Sequence, residues 1–155
     1  MEKTDSTADY LSEKFQLGSQ DLRNYSPLTL AYIGDAAYEI VIRTIVVRRA
    51  NMQVNKLHHQ AADLVKAEKQ SQMIAKLEPL FTEEEHQIYK RGRNAKSYTK
   101  AKNASTMDYR RATGFEAVMG YLYLKNDYHR MIDLIEAGLK EEDSEKNCGS
   151  EGERK

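Results

Sequence analysis

Apolar residues recur at helical spacing along most of the chain, and no segment alternates as a β-strand would. The longest apolar stretch, Leu28 to Val47, follows Ser26-Pro27, which is typical of a helix N-cap and first turn. The stretch is about long enough to cross a bilayer. Three charged residues at i, i+4 spacing interrupt it on one helical face: Asp35, Glu39 and Arg43. The pattern therefore predicts the central helix of an all-α bundle rather than a membrane span.

The same spacing predicts further helices on both sides of this one. They lie at about 55–68, 73–80, 83–91, 106–122 and 128–140, with a short one around 10–17. Thr82 to Glu85 has the pattern of a capping box, which predicts a helix start. Gly92 is predicted to end that helix. The stretch from Gly92 to Ser105 has no periodicity and is predicted to be an ordered surface loop.

The 155 residues are enough for one domain with its own core. Residues 25–140 carry the apolar pattern, whereas 1–24 are predicted to form a flexible arm and 141–155 a disordered, charged tail. The single cysteine, Cys148, cannot form an intramolecular disulfide, which favours a reducing compartment. Because residues 1–20 lack an apolar signal core, we expect a cytoplasmic protein.

The net charge is zero, but its distribution is uneven. Between residues 90 and 111 one acid, Asp108, accompanies eight basic residues: Lys90, Arg91, Arg93, Lys96, Lys100, Lys102, Arg110 and Arg111. Such concentration is typical of a surface that binds a polyanion. The candidate phosphate contacts, with one amide neighbour, are Arg91, Arg93, Asn94, Lys96, Lys100 and Lys102. The alternative is a solvated basic loop without a partner.

Two carboxylates stand on apolar helices, Asp35 and, within a second apolar segment, Glu116. A carboxylate in such surroundings needs a cation, a metal or hydrogen-bond donors. Two carboxylates from two packed helices can hold a magnesium ion for phosphodiester hydrolysis. The alternatives are ion pairs: Arg43 with Glu39, leaving Asp35 in solvent, or Glu116 with Arg43 or Arg111.

Three segments resemble the ribonuclease III family. The stretch from Leu30 to Glu39 (LAYIGDAAYE) resembles its signature helix, and Phe115 to Leu124 (FEAVMGYLYL) its second catalytic helix. Lys90 to Ser97 (KRGRNAKS), followed by Lys102 to Ala104, resembles the loop that marks the Mini-ribonuclease III branch. The resemblance covers roughly Tyr25 to Leu139 and presents the segments in the family's order.

The resemblance implies an all-α endonuclease domain that forms a homodimer and cleaves double-stranded RNA. It implies Asp35 as the catalytic, metal-binding aspartate and Glu116 as the metal-binding glutamate. The cofactor would be Mg²⁺, with Mn²⁺ as a substitute, and the branch's substrate is the paired ends of the 23S ribosomal RNA precursor. The chain has Ala31 and Thr113 where full-size relatives carry further carboxylates, so two matched carboxylates remain. No double-stranded RNA-binding domain is expected in residues 141–155.

Two other functions stay open at this stage. One is a catalytically silent module that binds structured RNA or a ribosome-assembly partner, such as a ribosomal protein or the pre-ribosome. Ala31 and Thr113 favour it. The other is a helical interaction protein with no RNA role.

Overall fold

Seven α-helices make up most of the chain that this computed structural model describes, residues 6–19, 21–96 and 106–140. They are Thr7–Lys14 (α1), Pro27–Arg49 (α2), Val54–Val65 (α3), Ala67–Leu77 (α4), Glu83–Asn94 (α5), Thr106–Leu124 (α6) and Tyr128–Leu139 (α7). Short 3-10 turns occupy Leu22–Asn24 and Glu78–Leu80. These ranges contain no strand, so the prediction of an all-α fold is confirmed. None of their helices is long and apolar enough to span a membrane.

Local side-chain caps start two helices where the sequence predicts. The Ser26 hydroxyl accepts a hydrogen bond from the Thr29 backbone N–H at 3.1 Å, and Pro27 is the first residue of α2. At α5 the Glu85 N–H donates to the Thr82 hydroxyl at 3.2 Å, and the Thr82 N–H donates to the Glu85 carboxylate at 2.9 Å. These bonds satisfy backbone donors that a helix start leaves unpaired.

Helices α2 and α6 cross at the centre of the described chain and form its most extensive helix–helix contact. Both are apolar on most sides, and their buried side chains form the middle of the core. Tyr38 of α2 meets Phe115 of α6 edge to face, with ring centroids 5.0 Å apart. The other helices pack around this pair, so groups on α2 and α6 are brought together by the centre of the fold.

The prediction that α5 ends at Gly92 is wrong, because α5 continues to Asn94. Gly92 is buried against α6, where an added Cβ would lie 2.8 Å from the Gly114 Cα and 3.2 Å from the Thr113 carbonyl oxygen. The glycine therefore permits close packing rather than a helix stop. The predicted loop from Gly92 to Ser105 is helical up to Asn94, and its residues 97–105 lie outside the described ranges.

The helix predicted to run from about 55 to 68 is interrupted at Lys66, whose extended backbone separates α3 from α4. Tertiary hydrogen bonds satisfy the carbonyls at this break. The Tyr38 hydroxyl donates to the Leu64 carbonyl at 2.6 Å, and the Gln70 amide donates to the Val65 carbonyl at 3.2 Å. Helical spacing alone cannot show an interruption that is stabilised by other helices.

The short helix predicted near the N-terminus is present as α1. Its Asp9 carboxylate accepts a hydrogen bond from the Asn126 side chain at 3.4 Å. The division of the chain at residues 24 and 140 stays a prediction, and residues 141–155 lie outside the described ranges.

Candidate active site

Asp35 of α2 and Glu116 of α6 line one open cavity of about 570 Å³. Asp35 is exposed to solvent and Glu116 is partly exposed. The complete lining is Leu28, Ala31, Tyr32, Asp35, Ala67, Gln70, Tyr109, Ala112, Thr113 and Glu116. The structure therefore brings together the two carboxylates that the sequence singles out, in a space large enough for a hydrated ion.

Two glycines next to the carboxylates set how closely the two helices approach. A Cβ added to Gly34 would lie 1.7 Å from the Glu116 carbonyl oxygen, and one added to Gly120 would lie 1.9 Å from the Leu30 carbonyl oxygen. Neither position can carry a side chain at this separation. Since Gly34 immediately precedes Asp35, and its contact is the backbone of Glu116, the crossing itself places the two acids at one cavity.

The surroundings of both carboxylates disfavour their ionised forms. Burial, and next the charge of Asp35, raise the pKa of Glu116 to about 8, while a hydrogen bond from Gln70 acts in the opposite direction. Burial and the charge of Glu39 raise the pKa of Asp35. A bound cation would offset both effects, because it favours the ionised form of each group.

The alternative of ordinary ion pairs holds only in part. Arg43 pairs with Glu39 on the exposed face of α2, and Asp35 is in solvent. Within the described ranges, however, neither Arg43, Arg111 nor any other cation pairs with Asp35 or Glu116. Glu85 shows the contrast: it is 3% exposed and its carboxylate is held by Arg130 at 2.8 Å. Among the described residues, Glu116 has no such cationic partner.

The residues at the cavity fit a hard divalent cation. Mg²⁺ accepts one or two carboxylates and keeps several waters, so it does not require a cage of protein ligands. No group of three His, Cys, Asp or Glu side chains is assembled anywhere in the described part of the chain. Ala31 and Thr113 both line this cavity, so the two departures from full-size relatives lie at the site itself.

Four of the six residues predicted to bind RNA lie at the end of α5 or directly beyond it. Arg91, Asn94 and Lys96 are exposed, and the Arg93 guanidinium lies 5.6 Å from the centroid of the Tyr89 ring. Because α5 contacts α6 at Thr113 and Gly114 through Gly92, this basic end adjoins the helical segment that lines the cavity. The predicted contacts Lys100 and Lys102 lie outside the described ranges.

Gln70, a fully buried side chain of α4 in the cavity wall, is not among the site residues that the sequence predicts. A signal was present. Gln70 occupies the face of α4 that also carries Met73, Ile74 and Leu77, all of them buried. A polar amide within an apolar face of this kind is unusual enough to mark a candidate site residue.

Comparison with known proteins places the chain in a family. The Ribonuclease III domain matches residues 28–127. The Mini-ribonuclease 3 of Clostridium tetani is 47% identical over 148 residues, which cover 94% of this chain and 97% of the relative. That of Thermoanaerobacter sp. (strain X514) is 41% identical over 140 residues, 90% of this chain and 97% of the relative. A crystal structure of a Fusobacterium nucleatum protein, 31% identical, superimposes with a TM-score of 0.69 over 76% of this chain and 94% of that one. The chain therefore belongs to the ribonuclease III family of endoribonucleases, in the branch called Mini-ribonuclease 3.

Proposed function

We propose that the chain is a divalent-metal-dependent endoribonuclease of the cytoplasm that cleaves both strands of double-stranded RNA as a homodimer. Its natural substrate would be the paired 5′ and 3′ ends of the 23S ribosomal RNA precursor, as the resemblance implies. The observation that carries the proposal is the pair of carboxylates, Asp35 and Glu116, that line one cavity without a protein cation within the described ranges.

In this proposal Asp35 and Glu116 hold Mg²⁺, with Mn²⁺ as a substitute. A divalent cation supplies Lewis-acid activation of water and neutralises charge that develops on the phosphate. Asp35 is exposed and would therefore be accessible to the substrate. Glu116 anchors the site from the more buried helix, α6.

Duplex RNA is recognised mainly by shape, through contacts to phosphates and 2′-hydroxyls. The end of α5 supports this role, because Arg91, Arg93 and Lys96 offer long cationic side chains beside the segment of α6 that lines the cavity. Lys100 and Lys102 complete the proposed RNA-binding set, with Asn94 as a hydrogen-bonding neighbour.

A dimer supplies one site for each strand, and a two-fold axis suits the near two-fold symmetry of a duplex backbone. Four large apolar side chains of α2 are exposed, and the two most exposed are Tyr32 at 82% and Ile40 at 62%. Exposed apolar side chains on the central helix are compatible with a second subunit.

The test is cleavage of long duplex RNA, with each strand labelled in turn, with and without Mg²⁺. We expect Mg²⁺-dependent cuts in both strands by the wild type, and loss of cleavage with retained RNA binding for Asp35→Asn. Asp63→Asn is the matched control, because Asp63 is exposed on α3 and does not line the cavity. Cleavage retained by Asp35→Asn would refute the assignment.

A second candidate is a catalytically silent module that binds structured RNA or a pre-ribosomal partner. The replacement of two acidic positions by Ala31 and Thr113 in the cavity wall favours it. The same gels separate the two functions, because a silent module shifts the RNA in Mg²⁺ without giving product.

A further inference from the structure

Gln70 is 0% exposed, although its side chain is polar and forms part of the wall of the carboxylate cavity. A buried amide is unfavourable unless hydrogen bonds replace those it made to water. Each of its two polar atoms therefore needs a partner.

Only one of those atoms has a partner within the described ranges. The Gln70 Nε2 donates to the Val65 carbonyl at 3.2 Å, whereas the Oε1 is buried and accepts no hydrogen bond there. Exchanging the two atoms would place Oε1 against the Val65 carbonyl, so that two acceptors would face each other. The orientation of the amide is thus fixed, and the group left over is an oxygen with free lone pairs.

The side chain that carries this oxygen lines the same cavity as Asp35 and Glu116. Its amide N–H lies close enough to the Glu116 carboxylate to lower the pKa of that group by a hydrogen bond, and the oxygen is bonded to the same amide carbon as this nitrogen. Thr113 also lines the cavity, but the proton of its hydroxyl is already used in a hydrogen bond to the Tyr109 carbonyl at 3.0 Å.

We propose that the side-chain oxygen of Gln70 is a third, uncharged oxygen of the cation site formed by Asp35 and Glu116, which rests on the proposed function. Amide oxygens are among the ligands that hard divalent cations accept. An uncharged oxygen adds to the site without adding a further like charge beside two carboxylates that already repel each other. Gln70 thereby compensates in part for the absence of carboxylates at Ala31 and Thr113.

The test measures Mn²⁺ binding to the full chain from the electron paramagnetic resonance signal of free Mn²⁺. Gln70→Leu removes the oxygen at similar size, and we expect it to weaken binding at least about tenfold, as loss of a supporting group at a metal site typically does. Gln70→Glu keeps an oxygen at the same place, and we expect affinity equal to or above that of the wild type. The control is Gln72→Leu, the same change at an exposed position of α4. Wild-type affinity in Gln70→Leu, or weakened binding in Gln70→Glu, overturns the proposal.

A purely structural role makes a different prediction in thermal unfolding. Both variants lose the donor to the Val65 carbonyl, so both should lower the melting temperature of the metal-free protein. If Gln70 only supports the fold, the rise that Mn²⁺ produces is unchanged in both. If it faces the cation, the rise shrinks in Gln70→Leu and persists in Gln70→Glu. Gln70→Met, a flexible substitute of similar length, serves the same comparison if Gln70→Leu does not fold.

Asp35→Asn distinguishes a failure of this proposal from a failure of the proposed function. If the wild type and Asp35→Asn both fail to bind Mn²⁺, the cation site itself is wrong. If the wild type binds, Asp35→Asn does not, and Gln70→Leu binds as the wild type does, only the role of Gln70 is refuted.

Discussion

Replacing Gly34 with alanine tests whether the crossing of α2 and α6 builds the site. In a helix with free space, this change is stabilising by about 1 kcal/mol, because alanine has the higher helix propensity. At Gly34 the added Cβ would lie 1.7 Å from the Glu116 carbonyl oxygen and 2.6 Å from the Gly120 backbone nitrogen. Both obstacles are backbone atoms of α6, so no side-chain rotation relieves them, and the helices must move apart.

Overpacking of a core typically costs about 1–3 kcal/mol. We expect Gly34→Ala to lower the free energy of unfolding by at least the upper end of this range, about 3 kcal/mol, because α2 and α6 form the most extensive helix contact in the described chain. With a urea dependence of about 2 kcal/mol per molar, the unfolding midpoint would fall by about 1.5 M. The measurement is urea unfolding of the metal-free protein, followed by far-ultraviolet circular dichroism.

Gly18→Ala is the control, since an added Cβ at Gly18 meets nothing within 4 Å. Its midpoint should stay within about 0.3 M of the wild type, the range expected for a surface change. Gly34→Ala should also weaken Mn²⁺ binding even where it is folded, because the displaced backbone is that of Glu116. A Gly34→Ala protein as stable as the wild type, or more stable, would refute the close crossing.

Two further predictions concern charge. Since the metal-free fold raises the pKa of Glu116 from 4.5 to about 8, its proton is favoured in the folded state. The stability of the metal-free protein should therefore fall as pH rises between those values, which urea unfolding at several pH values measures. The affinity for Mn²⁺ should weaken about tenfold per pH unit below 8, which Mn²⁺ titration at several pH values measures. Glu116→Gln should abolish both trends. Arg91→Gln should reduce by about one the magnitude of the slope of log affinity for duplex RNA against log salt concentration, because one phosphate contact is lost. Arg48→Gln, about 20 Å along α2 from Asp35, should leave that slope unchanged in the same binding titrations.

The elements of the fold follow from the sequence because apolar periodicity and caps act locally. Ser26-Pro27 and the Thr82–Glu85 box start their helices through bonds within four residues, so the pattern contains the information. The continuation of α5 past Gly92 and the break between α3 and α4 at Lys66 could not be predicted in this way. The first is decided by close packing against α6, and the second by side chains of Tyr38 and Gln70 that reach α3 from other helices.

The sequence likewise predicted the two acidic residues of the candidate site but not how they are arranged in three dimensions. The apolar surroundings of Asp35 and Glu116 marked both as candidates, but from the residues alone ion pairing remained an equal alternative. Only the positions of α2, α4 and α6 show that Arg43 pairs with Glu39 and that Gln70 joins the acids at one cavity. The resemblance supplied the pairing of the two acids, but it contained no indication of Gln70.

Three locally unfavourable features converge at this cavity. Glycines in the middle of α2 and α6 lower helix propensity, two acids lie together without a cation among the described residues, and a buried amide oxygen has no partner there. Elsewhere in the same chain, the buried carboxylate of Glu85 is paired with the Arg130 guanidinium. Helix propensity, charge pairing and hydrogen-bond satisfaction all fail at this cavity but hold in the helices around it. Such a combination is expected at a site that binds a ligand. A divalent cation would satisfy both acids and the amide oxygen at once, which is why cation affinity, rather than RNA cleavage alone, is the most direct measure of this site.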